Sequence, residues 1–165
     1  MKTIEYSIEW ARGEQFEGWS ITIFGALVLL LTLILWRYGS TPNAKALVVP
    51  ALILGMLFLL MGSYMVYSNG VRQEAFTEAY EQDALAFLQA EKNRVEGFQF
   101  MYPASLLISA ISFVVALALF YFSDSPARKA LAIVLAVFGL SLLIIDYFSK
   151  ERADNYYEAL LNALL

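Results

Sequence analysis

Four long uncharged apolar blocks constrain this chain more than any other feature. They are Gly18–Trp36, Ala46–Tyr67, Phe98–Phe122 and Ala130–Ile145. The first three run 19 residues or more without a charge, and the fourth has 16, extended by Asp146 to Phe148. A helix needs about 20 apolar residues to cross a hydrocarbon core of about 30 Å. The backbone polar groups of a spanning segment must be satisfied internally, so these blocks read as transmembrane helices. The competing reading is a soluble bundle of unusually apolar helices. The 60% hydrophobic content argues against it, since soluble domains average about 45–50%.

The blocks come in two similar pairs. Glu17-Gly18-Trp19, an apolar run, a Pro/Lys loop, a second run and Tyr67…Arg72 are matched by Glu96-Gly97-Phe98, the same succession and Tyr147…Arg152. Lys45-Ala46-Leu47 matches Lys129-Ala130-Leu131, and Gly55 matches Gly139. The offset between partners lies between 79 and 84 residues. This predicts a duplication, with one repeat over about residues 12–80 and the other over about 92–165. The fold class expected is an all-α membrane protein. It is a four-transmembrane-helix bundle of two tandem helical hairpins, forming one domain over residues 1–165. Each hairpin returns to its starting side, so the repeats should be parallel, about a pseudo-twofold along the membrane normal.

Residues 71–97 lie between the hairpins. Phe76, Tyr80, Ala84, Phe87, Leu88 and Val95 recur near the helical period among acids and bases. This predicts one amphipathic interfacial helix over about 71–97, lying in the interface or capping one end of the bundle, with a break near Gly97 and a preceding helix stop at Asn69-Gly70. The C-terminal tail repeats the pattern with Tyr157, Leu160, Leu161, Leu164 and Leu165, and the acidic N-terminal tail carries a short amphipathic turn of Ile4, Ile8 and Trp10. Pro50 is placed in the first turns of the second helix, where a missing N–H matters least. Glu5, Glu9, Glu14 and Glu17 precede the first block where a signal peptide would be basic, so that block reads as a retained anchor.

Packing signals are small residues near heptad spacing. They include Gly18, Thr22, Gly25 and Thr32 in the first block, Ala51, Gly55 and Gly62 in the second, Ser105, Ser109, Ser112 and Ala116 in the third, and Ala132, Ala136 and Gly139 in the fourth. In lipid, helix association relies on close backbone approach, which these residues permit. Their spacing predicts left-handed packing.

Orientation rests on Lys and Arg. Four crossings put both tails and the 71–97 segment on one side, with seven basic residues, Lys2 among them, against four in the short loops. The positive-inside rule then gives N-in, C-in. Against that count, the short loops are denser in positive charge, and fourteen of the fifteen acids lie on the tail side. Trp19, Tyr67, Phe98, Tyr102 and Tyr147 mark one headgroup level, and Trp36, Tyr38, Phe120, Tyr121 and Phe122 mark the other.

There is no cysteine and no histidine. That removes thiol and imidazole chemistry, disulfides and most zinc sites. No cofactor and no metal are expected. Glu74, Glu78 and Glu81 share a helix face but lack calcium-loop spacing, and read as a solvated surface. No ionisable residue sits near the middle of any span, which argues against a monomeric proton or sodium pump. The polar residues singled out are Glu17, Arg72, Glu96, Asp146 and Arg152. Glu17 with Arg72, and Glu96 with Arg152, could form a clamp repeated in each hairpin or crossing between them. The alternative is independent solvated side chains. Asp146 either binds a cation or pairs with Lys150 one turn on.

Asp146-Tyr147-Phe148…Arg152-Ala153…Tyr157, with Arg94-Val95-Glu96 upstream, is similar to the endings of small bacterial four-helix inner-membrane proteins of unknown function. The resemblance covers the C-terminal half and implies a bacterial inner-membrane location. It implies no catalytic residue. The function expected is that of a non-enzymatic interaction protein: an accessory, regulatory or immunity-type subunit. Its partners would be the bilayer and a membrane protein or second copy, with no nucleic acid. The alternatives are a small transporter or oligomeric channel, and a carboxylate-based membrane enzyme. The enzyme would need Glu17, Glu96 and Asp146 to converge.

Overall fold

The computed structural model describes residues 2–165, with side chains from Ile4 onward, so the Lys2 side chain lies outside the described residues. Among these residues there are five helices and no strand: α1 (Lys2–Tyr38), α2 (Pro42–Gln82), α3 (Ala84–Phe98), α4 (Met101–Phe122) and α5 (Pro126–Leu164). Four stretches are long and apolar enough to cross a membrane: Ile4–Tyr38, Pro42–Gln82, Ala84–Phe122 and Pro126–Leu164. This is an all-helical architecture consistent with a membrane bundle.

α1 and α2 run antiparallel in very close contact. A Cβ placed on Gly25 would lie 2.4 Å from the Leu59 nitrogen and 2.9 Å from the Gly55 oxygen, and one on Gly62 would lie 2.5 Å from the Thr22 nitrogen. The two backbones touch because neither helix has a side chain there. Gly55 lies against the Leu29 side chain. The buried positions of α1 include Ser7, Ala11, Glu14, Gly18, Ile21, Gly25 and Thr32, a 4-3 spacing typical of left-handed pairs. α4 packs along α5. Gly139 faces the Ser109 oxygen and the Ser112 side chain at a looser 3.2–3.3 Å, and Ala136 is only half-buried. α5 is central, also packing on α1, α2 and α3.

The helices do not end where the apolar blocks end. α2 continues through Asn69-Gly70, the stop expected from the sequence, and ends at Gln82. Asn69 is buried, and its Nδ2 donates to the Met65 carbonyl at 2.9 Å, inside the helix rather than at a cap. Gly70 has no positive φ, so it makes no left-handed cap. The single helix expected over 71–97 is therefore divided. Its break falls at Asp83, whose Oδ1 accepts from the Ala86 nitrogen at 2.9 Å and caps α3. The next turn falls at Gln99 and Phe100 rather than at Gly97. Pro103 has no N–H for the Gln99 carbonyl, which accepts from the Tyr102 nitrogen instead. Pro50 also differs from expectation. Because α2 begins at Pro42, Pro50 lies inside the helix and leaves the Ala46 carbonyl without its usual donor. Thr41 caps that helix, its hydroxyl accepting from the Ala44 nitrogen.

Two apolar cores result. One surrounds Ile21, Leu54 and Phe58 among the spans. The other joins Trp10, Phe76, Phe87, Leu88, Val95, Tyr156 and Leu160 from α1, α2, α3 and α5, beyond the most apolar segments. The tails and α3 thus form a packed helical head.

Candidate functional site

The polar side chains of the head form two layers. Arg152 of α5 organises the one nearer the membrane. Its Nε and Nη2 donate to Glu14 Oε1 at 3.3 and 3.0 Å, and Nη2 also donates to Glu17 Oε2 in a very short contact. Ser149 Oγ donates to Glu14 Oε1 at 3.3 Å and lies 3.4 Å from the Tyr102 hydroxyl. Both glutamates are buried, 8% and 7% exposed, so the pairing is largely desolvated. Gly13 makes it fit. A Cβ at that position would lie 2.7 Å from Arg152 Cδ, so the Arg152 side chain uses the space that residue 13 leaves open and would have to shift if it were filled.

The outer layer centres on Glu91 of α3, 6% exposed. It accepts two bonds from Arg94, at 2.8 and 2.6 Å, and one from the Tyr156 hydroxyl at 2.9 Å. The same hydroxyl lies 2.9 Å from Ser7 Oγ. Burial, then the Glu91 charge, pushes the Tyr156 phenol well above its ordinary pKa. Trp10 stacks on Tyr156 and on Phe98, with the Arg94 guanidinium 4.4 Å from its ring centroid.

Below the inner layer a groove of about 430 Å³ opens between α1 and α5. Ile21, Phe24 and Phe58 form one side, Ile145 and Phe148 the other, and Glu17 and Arg152 close its outer end.

Of the clamps expected from sequence, the crossing alternative holds for Glu17: it meets Arg152, a link between the first and last helices, and not Arg72. Arg72 donates to Asn69 Oδ1 at 2.6 Å and lies 5.7 Å from the Trp10 ring. Trp10 is seven residues from Glu17, about 10 Å along the helix, which keeps the two charges apart. Burial, then repulsion from Arg94, lowers the Arg72 pKa. Glu96 bonds Lys92 at 2.8 Å and accepts from Tyr157, not Arg152. Lys150 pairs with Asp154, so Asp146 lacks that partner, and its Oδ2 is buried without a hydrogen bond. Glu17, Glu96 and Asp146 share no partner. Among the described residues, no group of three or more acids could hold a metal ion.

Sequence reasoning missed Gly13, Glu14, Glu91, Ser149 and Tyr156. The signal for Glu14 was its place in the 4-3 spacing of α1. For Glu91 it was the same face of α3 as Phe87, Leu88 and Val95. Compared with protein families, curated proteins and solved structures, the chain matches none.

Proposed function

We propose that the protein is a non-enzymatic integral membrane interaction protein, an accessory, regulatory or immunity-type subunit. One observation carries this reading: several acidic side chains of the head are held in hydrogen-bonded ties, some within α3 and others between helices. Arg152 holds Glu14 and Glu17, Glu91 holds Arg94 and Tyr156, and Glu96 holds Lys92 and Tyr157. Such ties orient a rigid surface and leave little for acid–base work. The finer architecture belongs to the same proposal. Two tandem hairpins, over about 12–80 and 92–165, would hold the termini on the cytoplasmic side of a bacterial inner membrane. The outward side of α4, with Leu107, Ile111, Val114, Leu117 and Tyr121 exposed, would meet a membrane protein or a second copy.

The test is photo-crosslinking in native membranes with a reactive residue at Leu117, compared with one at buried Ser112. The reading expects one discrete protein adduct at Leu117, its mass and identity the same in every preparation, and none at Ser112. Lipid adducts alone at Leu117 would overturn it. The groove favours a second reading, a small transporter. That reading expects solute flux in proteoliposomes that Glu17→Gln abolishes.

A further inference from the structure

The groove between α1 and α5 has features that a partner-binding role does not use. Its depth is apolar, and it opens sideways past Phe16 and Phe148, 74% and 54% exposed. Trp19 and Tyr147, also exposed, stand close by in sequence at the headgroup level. A molecule entering here comes from the bilayer. The volume of about 430 Å³ is within the range of small-molecule sites.

The outer end of the groove is polar. The Arg152 guanidinium bonds two carboxylates, Glu14 and Glu17, and the Arg72 charge also acts on Glu14. Glu17 lines the groove at 7% exposure, and its Oε1 is buried with no hydrogen bond. A buried carboxylate oxygen left unpaired is costly, so the site lacks an N–H or O–H donor. Arg152 is 29% exposed and makes its bonds through Nε and Nη2, which leaves Nη1 to donate outward. Guanidinium is suited to phosphate. The end of the groove thus presents an anion donor and a cation acceptor side by side, above an apolar slot.

We propose that this groove binds one phospholipid whose headgroup carries a primary amine, of the ethanolamine class. Its phosphate lies on Arg152 Nη1, its ammonium donates to Glu17 Oε1, and an acyl chain lies along Phe24, Phe58 and Ile145. A trimethylammonium headgroup has the same charge but no N–H, so it cannot complete Glu17. A glycerol headgroup offers O–H donors but no positive charge to set against the Glu17 carboxylate. This inference goes beyond the proposed interaction role, and neither depends on the other.

The experiment is native mass spectrometry of the full chain in detergent, offered equimolar dioleoyl phosphatidylethanolamine, phosphatidylcholine and phosphatidylglycerol. The expected result is one retained lipid, with the ethanolamine form favoured over the choline form by about tenfold, the worth of one charge-assisted hydrogen bond. Glu17→Gln should bring that ratio close to one while both lipids still bind. Ile145→Trp should fill the slot and reduce all three. Equal retention of ethanolamine and choline lipids by the unaltered protein would overturn the proposal, as would a preference for phosphatidylglycerol. Soluble phosphoethanolamine should not displace the lipid, and displacement at equal concentration would overturn the lipid assignment. The comparison in the unaltered protein decides the matter even if Glu17→Gln fails to fold, which its helical circular dichroism and melt would reveal.

Discussion

Replacing single glycines by alanine should separate three structural roles that look alike in the sequence. At Gly25 an added Cβ meets the Leu59 nitrogen at 2.4 Å and the Gly55 oxygen at 2.9 Å, both backbone atoms that cannot rotate away. Restoring a normal separation of about 3.5 Å requires α1 and α2 to part locally by about 1 Å, which forfeits much of the dispersion attraction along the seam. Overpacking of this kind costs about 1–3 kcal/mol, here towards the upper end. Alanine recovers up to about 1 kcal/mol of helix propensity. The net loss for Gly25→Ala is then about 2 kcal/mol. At Gly139 the nearest atoms lie at 3.2–3.4 Å, and two of the three belong to side chains. A shift of a few tenths of an ångström suffices, and the net change should be near zero. Gly97 has nothing within 4 Å, so Gly97→Ala should stabilise α3 by about 0.5–1 kcal/mol. The assay is helix content at 222 nm during sodium dodecyl sulfate titration of the protein in dodecyl maltoside. If Gly25→Ala and Gly139→Ala agree within about 0.5 kcal/mol, the backbone-contact reasoning is refuted.

Arg152→Ala should destabilise the head by about 3 kcal/mol, because buried Glu14 and Glu17 lose the guanidinium that bonds them both; the same detergent titration measures it. Arg152→Lys should recover only part of this, since an ammonium cannot match the guanidinium fork across two carboxylates. A charge exchange should be specific: Glu17→Arg with Arg152→Glu should regain stability over the single variants, whereas Glu96→Arg with Arg152→Glu should not, because Glu96 bonds Lys92 and Tyr157. Stability should also fall at alkaline pH. The Tyr156 phenol is raised in the folded state, so its contribution is complete below the unfolded value of about 10 and is lost as pH climbs from there towards the folded pKa. Melting temperatures of the parent and Tyr156→Phe between pH 8 and 11 check this, with a shallower decline expected for the variant.

The spans were legible because their cause is local. A run of apolar residues long enough to cross the bilayer is written in consecutive positions, and so are the glycines that let α1 and α2 touch. The head was less legible because its cause is not local. Asn69-Gly70 has the composition of a helix stop, yet Asn69 bonds back to Met65, and Gln73 Nε2 reaches Gln15 Oε1 on α1 at 2.9 Å. The two helices stay together beyond their apolar blocks, so neither has reason to break there. The same continuity explains why the pairing within each hairpin fails while Glu17 pairs across to the last helix. A repeat suggests that equivalent residues make equivalent pairs. α3, however, packs on α2 and α5 at one end of the bundle: its own Glu96 bonds Lys92 and Tyr157, and Arg72 comes under the charges of its Glu91 and Arg94. Glu17 lies nearer the membrane, where α5 is the helix it meets. A stronger inference was available from α1 alone. Its inner face follows a 4-3 spacing from Ser7 to Thr32 and places Glu14 at a core position and Glu17 beside Gly18. A carboxylate in a helix seam must find a cation, and that requirement holds whatever the repeat implies. Choosing Arg152 from the seven basic residues on that side needed the packing, because Gly13 opens the path for its side chain.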